Sequence, residues 1–467
     1  MTVTTVLPEA GRKGSVLPEA GKNSIRLPGG SFAAYVARAR SQGALVVQPR
    51  MGFCDPAQMR RGLLATRGAG PTVAGTITLD SYTRVGDYAS AGQALNRGVP
   101  LNGYPLINHG PAVTRRLLAG LRDSGFPVQI RHGSADPHDI VGSLIDAGLD
   151  ATEGGPVSYC LPYSRLPLRD AVRCWARSCE LFAGAGGTGA QPHMESFGGC
   201  MLGQLCPPSL LIAITVLEAM FFRQHGLRSV SLSFAQQTHP DQDAEALRAL
   251  RILAAELLAG LDWHVVVYTY MGVYPASREG ALRLLGDSAA LAVRGGAERL
   301  IVKTPAEAFR IPAIEENVES LQYAAAAATA AAAAGPAPPP ADTGVLAEAR
   351  ALIGATLELS PDVGTALLAA FRRGYLDVPY CLHPDNAGAA RSRIDASGRL
   401  AWAAAGAMPI APPPGGPGRH RFTSFELLAA LSHVRNSYDA GHRPGPIGAL
   451  PAAGPGGLPT YTDGDDG

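Results

Sequence analysis

The sequence predicts an α/β protein whose parallel sheet closes into a barrel, and three observations carry that prediction. From about residue 30 to 323, short β-branched runs alternate with longer Ala/Leu-rich segments of helical period, the pattern of repeated strand–helix units. Several of those apolar runs deliver polar residues just past their carboxyl ends, where α/β folds build their sites. No P-loop text marks a single switch point, so a barrel, which collects groups from many strands at one face, fits better than a doubly wound sheet.

In chain order, residues 1–24 repeat Val-Leu-Pro-Glu-Ala-Gly at Val6–Gly11 and Val16–Gly21. Text so punctuated by Pro and Gly buries little, so it reads as a flexible leader; it lacks the charged start and apolar stretch of a secretory signal. Residues 25–323 form the expected barrel domain. Within it Ala44–Val47 runs into Gln48, Pro49 and Arg50, and Val128–Ile130 into Arg131 and His132. Ser229–Leu232 leads to Gln236, His264–Val267 to Tyr268 and Tyr270, and Leu300–Val302 to Lys303. Pro207, Pro208 and Ser209 introduce an apolar helix over Leu210–Phe222, and Asp243–Ala259 reads as a helix with an acidic start and Gly260 after its end. Residues 324–343, alanines and then prolines, are expected to be a low-complexity linker, followed by an accessory region over 344–443 and a flexible tail over 444–467.

Composition excludes some classes of function. Forty basic against thirty-nine acidic residues leave a formal charge of +1, which gives no long-range attraction to nucleic acid or an anionic membrane. The longest apolar run, Leu210–Phe222, is too short for a membrane helix and contains Glu218. Seven cysteines, odd in number and without a CxxC pair, read as reduced thiols of a cytoplasmic protein. His109, His132, His193 and His239 lack zinc-site spacing, so no metal bound by this chain is expected.

Three arginines follow expected strands: Arg50 in QPRMGF, Arg84 in DSYTR and Arg131 in RHGSADP. Guanidinium groups grip carboxylates through planar, bidentate pairs, so a cluster of three suits a small ligand with two carboxylates. Glu153 follows at the next strand end and can hold an ammonium group or take its proton, while Tyr159 and Tyr163 offer neutral donors. Together they describe a site for an amino dicarboxylic acid. Lys303 and Glu307 make another strand-end pair, suited equally to a site or to a salt bridge on the rim.

These words, with LNGYPLINHG, EGGPVSYCLPYSR, CPPS before a helix and IVKTPAEAFRIP, stand in the order and approximate spacing of one family. The chain resembles the large, epsilon subunit of glutamate mutase (methylaspartate mutase) over about residues 40–323, and more weakly at Asp377–Tyr380 and Asn386–Gly388. The resemblance implies a (β/α)8 TIM barrel whose mouth holds L-glutamate beneath adenosylcobalamin, and an isomerase that converts glutamate to 3-methylaspartate by a radical route. Carried over by motif, Arg50, Arg84 and Arg131 would clamp the substrate with His132 beside them; Glu153 would be the catalytic acid facing the amino group, and Tyr159 and Tyr163 would complete the pocket. The cofactor side would be Gly52, Asn102, Pro162, Tyr274, Lys303, Glu307 and Ile311. The implied partner is a cobalamin-binding small subunit, in a heterotetramer of two large and two small chains.

Asp136-Pro-His138-Asp-Ile-Val-Gly142 imitates the cobalamin word DxHxxG but has one residue too many and falls between a strand and a helix, so it is not expected to ligate cobalt. The sequence also departs from the family: three glycines become Gly154-Gly155-Pro156, His-Gln-Trp becomes Tyr268-Thr269-Tyr270, lysine after the second tyrosine becomes Arg165, and the Ala/Pro segment is additional. Two other readings remain open on sequence, a carbon-skeleton mutase acting on another five-carbon dicarboxylate such as a 2-oxo acid, and a non-catalytic subunit that binds its partner.

Overall fold

Eight short parallel strands carry the fold: β1 (Val46–Pro49), β2 (Gly75–Thr78), β3 (Val128–Arg131), β4 (Ala151–Gly154), β5 (His193–Ser196), β6 (Ser229–Ala235), β7 (Asp262–Tyr268) and β8 (Arg299–Val302). The computed structural model describes residues 31–121, 125–186, 191–412 and 423–440; the leader expected at 1–24 and the tail expected at 444–467 lie outside these. The sheet runs β1-β8-β7-β6-β5-β4-β3-β2. It closes ahead of β2, where Val47 N donates to Thr72 O and Ala74 N to Val47 O, each at 3.1 Å. The chain is thus a (β/α)8 barrel, as expected.

The period of two explains what lies inside. On β6, Val230, Leu232 and Phe234 join the apolar core, while Ser229 and Ser231 bond to groups on other strands. Across the lumen, Arg299 on β8 reaches Gln48 on β1 at 2.6 Å and His264 on β7 at 2.8 Å, and also pairs with Glu195 on β5. The lumen is therefore filled by polar side chains that bond one another, and the apolar faces of the strands turn outward to the helices.

The helix read at Leu210–Phe222 spans Pro208–Gln224 and is apolar on nearly every side because it is covered twice. The barrel packs on one side of it, and helices Val345–Leu357 and Val363–Arg373 pack on the other. The helix read at Asp243–Ala259 spans Pro240–Leu257. The alanine run corrects the composition reading: it is the second half of helix Ile314–Ala333, with Ala324 and Ala328 buried. Alanine is the strongest helix former, and its small side chain lets this helix pack closely on helix Arg278–Arg294. A hairpin of β9 (Arg391–Ile394) and β10 (Leu400–Ala404) and two short helices, Ser424–Leu431 and His433–Asp439, complete the described chain. Asp439 caps helix Arg278–Arg294 by accepting from Ala276 N at 2.8 Å and Ser277 N at 3.0 Å. Among the described residues no helix is long and apolar enough to cross a membrane.

Candidate active site

At the carboxyl ends of the strands the polar groups gather around Glu153. Arg131, the last residue of β3, donates through Nε to Glu153 Oε2 at 2.7 Å, and both side chains are almost wholly buried. Tyr159 donates its hydroxyl to Glu153 Oε1, and Tyr268, at the end of β7, lies 2.8 Å from Oε2. Local sequence makes the arrangement possible. Gly154 has φ +137°, and a Cβ there would lie 2.3 Å from the Trp175 ring and 2.6 Å from Tyr159. Gly155 presses on Glu218, whose carboxylate accepts from Val157 N at 3.1 Å and Ser158 N at 2.8 Å and so fixes the turn that presents Tyr159.

Arg84 ends the short helix Ser81–Arg84, capped by Asp80, and its Nε donates to Leu79 O at 2.9 Å. Its pKa is lowered first by burial, and Arg50 and Arg131 lower it further by like-charge repulsion, so the three guanidinium groups lie within electrostatic reach of one another. Arg50, less deeply set, donates to Glu307 Oε2 at 3.0 Å. His132 is pushed down to about 3, first by burial and then by Arg84 and Arg131, so it is neutral at physiological pH. Its Nδ1 accepts from Ser134 N at 3.0 Å, which leaves the hydrogen on Nε2, a buried atom beside the Glu153 backbone carbonyl. Tyr163 stands at the rim with its ring edge-on to Tyr159, centroids 6.0 Å apart.

A second cluster adjoins the first. Lys303, just past β8, lies 4.3 Å above the Tyr274 ring, donates to Tyr270 O at 3.3 Å and sits 3.6 Å from Glu307. Burial pulls its pKa down to about 8, against the opposing pull of Glu307. Tyr274 OH and Glu307 Oε1 are both buried without partners among the described residues. The Arg50–Glu307 pair joins the two clusters. The other expected cofactor positions stand on the rim: Ile311 is exposed, Pro162 lines a cleft of about 1090 Å³ beside Arg84 and Tyr163, and Asn102 Oδ1 accepts from Ser81 N at 3.0 Å. Gly52 has its own structural reason, since a Cβ there would lie 2.2 Å from Thr78 O. The cleft is also lined by Leu202 and Tyr380, the two described non-glycine residues with left-handed backbone (φ 50° and 62°).

Residues 28–414 match the family model described as Methylaspartate mutase E chain. The chain belongs to that family. Among curated relatives, the glutamate mutase epsilon subunit of Escherichia coli O157:H7 is 28% identical over 398 residues, 81% of each chain. That of Desulfitobacterium hafniense is 29% identical over 386 residues, 79% of each chain. That of Haloarcula marismortui is 32% identical over 337 residues, 69% of this chain and 68% of its own.

Within this mutase-family barrel, the imitation cobalamin word lies where the sequence put it, with Asp136 and Pro137 in the turn after β3 and His138 opening helix His138–Asp146. All seven cysteines are free. Sequence reasoning missed the layer below the site. Glu195, on β5, is wholly buried; Tyr268 OH contacts its Oε1, and Arg299 Nη2, Ser231 Oγ (3.1 Å) and Gln129 Nε2 (3.3 Å) reach its Oε2. The signal was available in the alternate polar positions of β6 and in Gln48, Gln129 and His264 on other strands, which mark a polar lumen.

Proposed function

We propose that this chain is the substrate-binding large subunit of an adenosylcobalamin-dependent mutase that isomerises L-glutamate to 3-methylaspartate together with a cobalamin-binding small subunit, two of each. The observation that supports this most is the carboxylate of Glu153 bonded to Arg131 at the open end of the barrel, with Arg84 and Arg50 within electrostatic reach. Arg50, Arg84 and Arg131 clamp the two substrate carboxylates, and Glu153 faces the ammonium group. His132, held neutral, contributes an N–H donor without adding repulsion to the arginines; Tyr159 and Tyr163 complete the wall. Held by so many contacts in a closed lumen, a reacting fragment stays oriented and water is excluded.

The residues of the second cluster fit a large polar cofactor, because Tyr274 OH and Glu307 Oε1 are buried without partners among the described residues. Lys303, Glu307 and Tyr274, with Gly52, Asn102, Pro162 and Ile311 at the rim, would hold it. Adenosylcobalamin would supply the radical chemistry when bound, and the protein's part is to hold and orient the substrate. A glutamate substrate is favoured over a 2-oxo acid by Glu153 itself, since a buried carboxylate stabilises an ammonium and not a ketone.

The test is reconstitution. The chain is mixed with a cobalamin-binding small subunit, and methylaspartate is measured with and without adenosylcobalamin. Product that requires both components supports the reading; glutamate left unconverted while a 2-oxo acid is rearranged, or no product from either, overturns it.

A further inference from the structure

Tyr268 stands between two carboxylates. Its hydroxyl lies 2.8 Å from Glu153 Oε2 and also contacts Glu195 Oε1. A phenol has one hydrogen, so it donates to one of the two at a time. Both acceptors have other donors. Glu153 takes Arg131 Nε on the same oxygen and the Tyr159 hydroxyl on the other. Glu195 takes Arg299, Ser231 and Gln129 on Oε2, so that Oε1 is left to Tyr268 among the described residues.

The hydroxyl hydrogen therefore has two positions with different consequences. Turned to Glu195, it leaves Glu153 with two donors. Turned to Glu153, it adds a third, and hydrogen bonds to the charged form of a carboxylate favour that form. Each carboxylate has an arginine of its own, Arg299 for Glu195 and Arg131 for Glu153, so both positions are open to the hydrogen. An ammonium group arriving at Glu153 needs the ionised form. We propose that Tyr268 is a positioning residue which, through the hydrogen it shares between Glu153 and Glu195, sets how strongly the site prefers an amino dicarboxylate to the same acid without its amino group. This rests on Glu153 facing the substrate ammonium, as proposed above.

Other groups facing this row of oxygens do not titrate in its place. Arg131 and His132 approach from β3, with Arg84 behind them; Tyr159 and Tyr163 approach from the turn after β4, and Cys200 from the turn after β5. Burial raises both tyrosines and the Cys200 thiol and keeps His132 neutral. Between about pH 5 and 8 these groups therefore keep one charge state.

The experiment is calorimetric titration of the full chain with L-glutamate and with glutarate over that range, for the native protein, Tyr268→Phe and Tyr268→His. In Tyr268→Phe, glutarate affinity stays within about twofold, while the preference for glutamate falls about tenfold near pH 6 and the acid limb of glutamate binding moves to higher pH. Tyr268→His restores a ring N–H and recovers part of the preference. A native preference and an unmoved acid limb in Tyr268→Phe overturn the proposal, as does equal loss of both ligands, or a His variant no better than Phe. A native chain that binds neither acid counts against the proposed function instead.

Discussion

The lumen of this barrel has two polar levels, and they differ in how completely their groups are satisfied. In the lower level Arg299 has a partner for each nitrogen, and His193 is bonded by both ring nitrogens, to Ser229 at 2.9 Å and Ser231 at 3.0 Å. In the upper level, at the carboxyl ends of the strands, Tyr274 OH and Glu307 Oε1 are buried without partners among the described residues. Buried polar atoms are almost always paired when their only role is the fold. The lower level is therefore a scaffold, and the upper level is set up for a ligand.

The sharpest way to break this comparison is to remove one member of the lower pair. Arg299→Ala leaves Glu195 charged and wholly buried, and should cost about 3–5 kcal/mol in denaturant unfolding. Next comes the upper level, where Glu153→Gln keeps an amide oxygen for Arg131 and Tyr159 but removes the counter-charge of the buried guanidinium, so it should cost less than Arg299→Ala, about 1–3 kcal/mol, while lowering kcat/KM for glutamate about a hundredfold. If Glu153→Gln destabilises as much as Arg299→Ala, the two levels are one scaffold and the distinction fails.

A pH experiment sharpens it further. His193 is pushed down to about 3, first by burial and then by Arg299. Its folded value is below its unfolded one, so between that value and about 6.5 the unfolded chain holds a proton that the folded chain does not, and stability is lost as pH falls through the window. Glu218, raised by burial to about 7, works in the opposite direction, because its folded form holds a proton that the unfolded form releases. The two effects separate in a variant. His193→Gln should be less stable than the native chain at pH 7, and that gap should narrow by about 2 kcal/mol at pH 5 in parallel thermal melts. The smallest effect is expected at the rim, where Arg50→Ala breaks a partly exposed pair with Glu307 and should cost less than about 1 kcal/mol of stability while weakening dicarboxylate binding.

Much of the fold was legible because β1, β3, β6, β7 and β8 are written in Val, Ile and Leu and end in polar residues. β5, His-Met-Glu-Ser, has no β-branched residue and was invisible, and Glu195 was lost with it. The alanine run misled for a related reason: composition alone does not distinguish a linker from a helix whose small face is packed. In the site, Arg131, Glu153 and Tyr159 were read as neighbours and are joined by hydrogen bonds. Arg50 was read as a clamp and Glu307 as a cofactor contact, yet the two meet across 257 residues of sequence.

By itself the sequence determined what is local: the alternation of strand and helix, the polar residue at each strand end, and the glycines that let Glu153 and Tyr159 approach. Closure of the barrel decided the rest. Which guanidinium meets which carboxylate, which hydroxyl stands between two acids, and which buried atoms go without a partner depend on side chains brought across the lumen from strands far apart in the chain, and no local pattern encodes those distances.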